Sequence, residues 1–150
     1  MAMHIEIDDR HLKFDDQCLT YSSYYFDKEE YEHLTNGEVL KKIFVQWAEA
    51  LARLDNEDGM LFLPFNLDDE WVDCFKVICR NGKLLFKNVR VDENGWALDV
   101  RDLNSFMTSS HKVLKESNQT YGEHDKEEVI KAVSEAKVTE NSGCAAQDSG

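Results

Sequence analysis

The chain has 150 residues, with thirty Asp and Glu against seventeen Lys and Arg, a formal net charge of -13, and 42% apolar residues. That balance argues against direct nucleic-acid binding, because no long basic run could replace phosphate counterions, and it excludes disorder of the chain as a whole. The length fits one domain; no apolar run could span a bilayer and the N-terminus shows no secretory pattern, so a soluble cytoplasmic protein without a membrane partner is expected.

Met3 to Ile7 alternates apolar and polar residues as a half-buried strand does, and Asp8-Asp9 reads as a turn. Short strands are expected at Leu12 to Phe14 and Cys18 to Ser22, separated by Asp15-Asp16. Asp27 with Glu30 has the spacing of a helix capping box, and Phe26 fits a hydrophobic staple with Tyr31. Asn36-Gly37 ends that short helix and starts the next. There Leu40, Ile43, Phe44, Trp47, Ala48, Leu51 and Leu54 recur at three- and four-residue steps and form one wide apolar stripe. Its polar face, with Glu38, Lys41, Lys42, Gln46, Glu49 and Arg53, is read as solvated.

Asp55 to Gly59 closes the helix, and Met60 to Phe65 is a short apolar run whose Pro64 favours a strand end or a sheet edge. Trp71 to Cys79 and Lys83 to Val91 are strand-like around Asn81-Gly82, the pair a type I′ hairpin turn requires. Asp92 to Gly95 predicts a second reversal, and Trp96 to Val100 a third antiparallel strand. Asp102 is the expected cap of a helix carrying Leu103, Phe106, Met107, Val113 and Leu114, and Asp125 with Glu128 the capping box of a last helix with Val129, Ile130, Val133 and Ala136. The expected fold is an α+β domain over residues 1–138. An antiparallel β-meander packs on a long amphipathic helix, with additional short helices, and 139–150 is a disordered tail in which Cys144 is an exposed thiol.

The chemical motifs are sparse. His4, His11, His33, His111 and His124 have no metal-binding spacing, and His111 is expected to be partly buried and structural. Cys74 and Cys79 read as buried or half-buried free thiols, and the four cysteines do not form the framework of a small secreted fold. Asp8-Asp9 and Asp15-Asp16 read as solvated turn charges. The serines lack a nucleophile elbow, and Asp68, Asp69, Glu70 and Asp73 lack a phosphate-holding loop beside them. No catalytic group, metal or cofactor is therefore assigned.

Acidity is the feature left to explain. The excess runs -6, -4 and -3 over residues 1–50, 51–100 and 101–150, so the folded body carries it. Spread evenly over roughly 7,900 Å² of surface, it would put only about 1 to 2 net charges into an interface of about 800 Å² per partner, so steering requires clustering. Two clusters, Asp55, Glu57, Asp58 and Asp68, Asp69, Glu70, Asp73, flank the Met60 to Phe65 run, and they are expected to approach one another on one rim of the sheet. Trp71 is a candidate interface anchor beside the second cluster. A basic protein whose groove receives nucleic-acid phosphates, such as a nuclease, is a partner these carboxylates could block.

The stretches Leu61 to Trp71 and Val89 to Trp96, with the Asn36-Gly37-Glu38 helix start, resemble small bacterial toxin-immunity proteins across residues 3–135. That resemblance implies a stoichiometric basic toxin partner encoded alongside, and it transfers no particular residue or toxin chemistry. An acidic adaptor or structural protein, and a small hydrolase with a carboxylate/histidine site, are the alternative classes.

Overall fold

The computed structural model describes residues 3–21, 33–140 and 144. The expected cap at Asp27 and Glu30, the staple of Phe26 with Tyr31, and Ser22 lie outside them. Two four-stranded sheets share one core. The first contains β1 (Ile5–Ile7), β2 (His11–Phe14), β3 (Gln17–Thr20) and β8 (Lys137–Val138), in the order β3-β2-β1-β8, with β1 and β8 parallel. The second is an antiparallel meander of β4 (Gly59–Leu67), β5 (Val72–Arg80), β6 (Lys83–Val91) and β7 (Val113–Asp125). Among the described residues no helix is long and apolar enough to cross a membrane.

The long helix α1 (Asn36–Arg53) follows from its stripe: Leu40, Ile43, Phe44, Trp47 and Leu51 are buried, with Val39 and Ala50 beside them, whereas Ala48 and Leu54 are only partly buried. It begins at Thr35, whose hydroxyl accepts from the Glu38 amide while the Glu38 carboxylate accepts from the Thr35 amide. Phe14 from the first sheet, Phe75 and Phe86 from the meander and Trp47 from α1 meet in the core, with Phe14 and Phe75 centroids 4.5 Å apart. The indole N–H of Trp47 donates to the Pro64 carbonyl at 3.0 Å, so the helix also holds the meander by a polar bond. Pro64 lies on an edge strand at a register shift, where its missing amide costs the ladder least. Asn81 and Gly82 both have positive φ, 53° and 74°, as the expected turn requires.

The meander's later part differs from the sequence reading. Trp96 to Val100 is not a strand; Gly95–Ala97 is a 3-10 turn, and β6 pairs instead with β7. Alternation over five residues does not distinguish a strand from a turn closed by local bonds, here Ala97 N–H to Asn94 O and Leu98 N–H to Gly95 O. The next helix, α2 (Asn104–Thr108), is a short one, and Val113 and Leu114 belong to β7. Asp102 does not cap it: the helix starts later, with Leu103 at its N-cap and no side-chain cap bond, and Gln46 of α1 accepts from the Leu103 amide and donates to the Val100 carbonyl. Before α3 (Lys126–Ser134), Asp125 occupies the cap position but turns its carboxylate to Lys83.

Cysteine placement is the other correction. Cys144 is buried and bonded to Cys18 of β3, with 5.7 Å between α-carbons, so it is not an exposed thiol. Sequence separation of 126 residues hid the pairing. Cys74 and Cys79 are buried and free, as expected.

Candidate functional site

The two acidic clusters do not share a rim. Asp55, Glu57 and Asp58 precede the first residue of β4, and Asp68, Asp69 and Glu70 follow its last, so about 26 Å of strand separates them. The meeting expected from the sequence fails because the apolar run between them lies within the nine-residue strand β4, which puts the clusters at its opposite ends.

Around the first cluster the backbone is committed to structure, while Glu57 and Asp58 are exposed and take part in no ion pair among the described residues. Lys126, buried despite its charge, donates to the Leu54 carbonyl at 2.6 Å and the Asn56 side chain at 2.9 Å, and Gly82 N–H donates to the Asn56 carbonyl. Asp55 accepts from the Glu57 amide. These bonds tie the α1 exit to the β5-β6 turn and the start of α3.

At the second cluster, Asp68 N–H donates to Trp71 O and closes the β4-β5 turn. Gly95 is pressed against this turn so closely that a Cβ there would collide with the Asp68 backbone, which brings Asp92 and Glu93 to the same end of the meander. Asp69, Glu70 and Asp92 are exposed and take part in no ion pair among the described residues. The Asp68 carboxylate accepts from the Asp69 amide.

Asp73 and Trp71 stand behind this edge in a closed arrangement. Arg90 donates to Asp73 through Nε at 2.8 Å, Asn66 donates to the same carboxylate at 2.8 Å, and the Arg90 guanidinium lies 4.2 Å above the Trp71 ring. The hydrogen-bonded Asp73 holds the Arg90 guanidinium above its ordinary pKa. Trp71 is half-buried and its indole N–H has no partner among the described residues. Thus Asp73 and Trp71 build and orient the edge, while Asp68, Asp69 and Glu70 present charge. Asp73, Asn88, Arg90, Lys115 and β3 residues Cys18 to Thr20 also border a cavity of about 480 Å³ between the sheets.

His111 is structural as expected: its ring stacks on Phe106 with 4.2 Å between centroids and its Nε2 is 2.7 Å from the Phe106 carbonyl. Asp8 is the exception to the reading of the turn carboxylates. It is buried, its Oδ1 accepts from the amides of Arg10 and His11, and His11 Nδ1 lies 3.1 Å away. Tyr21 donates to the Asp8 carbonyl at 2.6 Å, and burial, reinforced by Asp9 and Asp8, pushes its phenol well above the usual range. The i,i+3 spacing of Asp8 and His11 was the available signal, masked by the abundance of acidic turns. Among the described residues no group of three or more His, Cys, Asp or Glu could hold a metal. Comparison with protein-family models, curated proteins and solved structures returns no match.

Proposed function

We propose that this chain is a stoichiometric immunity or inhibitor protein that docks a basic protein toxin, a nuclease being the chemistry its carboxylates suit, on the acidic edge at the β4-β5 turn. The observation that carries this reading is the gathering of exposed, unneutralised Asp69, Glu70 and Asp92 around a turn braced from behind by Trp71, Arg90 and Asp73. Carboxylates on a rigid edge lose little freedom when a lysine or arginine meets them, and their field accelerates encounter at low salt. No group of this chain performs chemistry in that reading. The Cys18–Cys144 bond supports action in an oxidising compartment rather than in the cytoplasm expected from the sequence.

The test is co-expression with the product of the neighbouring gene, followed by measurement of complex mass and association rate across salt concentrations. A one-to-one complex is expected. The combined variant Asp68→Asn, Asp69→Asn and Glu70→Gln is expected to slow low-salt association about tenfold and flatten its salt dependence, whereas Asp55→Asn, Glu57→Gln and Asp58→Asn together change it little. Asp73 is left intact because its loss would strand Arg90. Equal rates for both variants at every salt concentration would remove the edge from the interface.

A further inference from the structure

The outer face of the meander, away from α1 and the first sheet, has an unusual composition. An antiparallel sheet with one face on the core ordinarily presents polar residues on the other. Here Met60, Ile78 and Leu85 are neighbours in register across β4, β5 and β6. Met60 is 44% exposed, and Ile78 and Leu85 are half-buried. The row crosses three strands, about 10 Å. Two residues along the strands to one side lies the cross-strand pair Lys76 and Lys87, and two residues to the other side the pair Arg80 and Lys83. Cations therefore border the apolar row on both sides, each about 7 Å from it.

Part of this charge is answered from β7: Lys83 pairs with Asp125 and Lys87 with Glu116 at 2.6 Å. Lys76 and Arg80 are in no ion pair among the described residues. Toward Val72 the same face is closed, since Phe62 is buried against His111 with ring centroids 5.0 Å apart, and Cys74 and Val89 are buried. The open part is the apolar row and its flanking cations.

We propose that this face is a second docking surface, for an amphipathic helix of another protein whose apolar stripe is edged on both sides by Asp or Glu. Stripe residues three and four apart on a helix are about 5 to 6 Å from one another, close to the spacing of adjacent strands, so such a helix lying across the strands meets Met60, Ile78 and Leu85 in turn. Its flanking carboxylates then reach Lys76 on one side and Arg80 on the other, the two cations that β7 leaves unpaired among the described residues. A second copy of this chain is disfavoured, because twofold face-to-face pairing centred on the apolar row sets cations against cations. Nucleic acid fits less well because the centre is aliphatic and offers no aromatic ring on which a base could stack. The surface differs in residues and in sign from the acidic edge, so either proposal can fail alone.

The test titrates the full chain, disulfide intact, into a fluorescent Leu/Glu peptide of about 18 residues with a leucine stripe flanked by glutamates. Parallel probes are the same peptide with Lys for Glu, a single-stranded oligonucleotide and phosphatidylglycerol vesicles. Saturable binding of the Leu/Glu peptide alone is expected, weakened about tenfold by Lys76→Glu with Arg80→Glu. Met60→Ser, at an exposed position that leaves the core intact, is expected to weaken it about threefold. Absence of saturable binding, unchanged affinity in both variants, or equal capture of the Lys peptide, the oligonucleotide or the vesicles would overturn the proposal.

Discussion

The strands of the first sheet are two to four residues long, whereas those of the meander run from nine to thirteen. The meander is held by three consecutive antiparallel pairings of long strands and by the shared core, where Phe75 and Phe86 meet Phe14 and Phe75 meets Trp47. The short-stranded sheet has fewer ladder bonds, joins its last strand in parallel, and carries the disulfide on its outer strand β3. Strands this short gain little from pairing alone, and stability there comes from burial of Ile5, Ile7, Leu12 and Phe14 and from the covalent link. The comparison shows where function can be placed: the long-stranded sheet can expose charge and apolar surface at its edge and outer face, while the short-stranded one is occupied with its own closure.

Breaking the link should separate the two sheets most strongly. Cys18→Ser with Cys144→Ser releases a loop of 126 residues and is expected to cost about 4 to 5 kcal/mol by chain entropy, measured by urea unfolding under non-reducing conditions. Amide exchange should accelerate at β1, β2 and β3 well before β5 and β6; uniform acceleration would mean that the sheets are one cooperative unit. Phe75→Ala, which removes the ring touching both Phe14 and Phe86, should cost about 3 to 4 kcal/mol and loosen both sheets together.

Thr35→Ala acts on the helix both sheets lean on and should cost about 1 kcal/mol, read as a lower unfolding midpoint with unchanged denaturant slope. The smallest effect belongs to the exposed pair Lys83–Asp125. The hydrogen-bonded lysine holds Asp125 below the usual carboxylate range, so its contribution is present at neutral pH and is lost as pH falls through that depressed value. Asp125 in turn raises Lys83, whose contribution is lost only as pH rises through the raised value. Lys83→Ala should therefore make Tm slightly less sensitive to acid; an unchanged acid limb would show that the pair adds nothing to the meander.

Much of the fold was legible because its signals were local. The α1 stripe, the Asn81-Gly82 turn and the edge position of Pro64 each rest on a few neighbouring residues whose physics admits one main solution. What escaped was non-local: the pairing of β6 with β7 across a long excursion, the Gln46 side chain of α1 that takes the Leu103 amide, and the Cys18–Cys144 bond. The acidic clusters were visible as composition, but their separation depended on Met60 to Phe65 forming part of a single long strand, and only Asp73's engagement with Arg90 distinguishes a bracing carboxylate from a presenting one.

The parallel pairing of β1 with β8 has a bearing on biosynthesis. Ile7 emerges from the ribosome early, yet the partner that accepts its edge, Val138, is made some 130 residues later, and Thr139 N–H then donates to the Ile7 carbonyl. The nascent chain must therefore carry β1 and β2 with one flank open while the meander is already able to assemble. Residues made some 130 positions later close β1, so a chain halted before Lys137 should retain the meander but lack a finished first sheet.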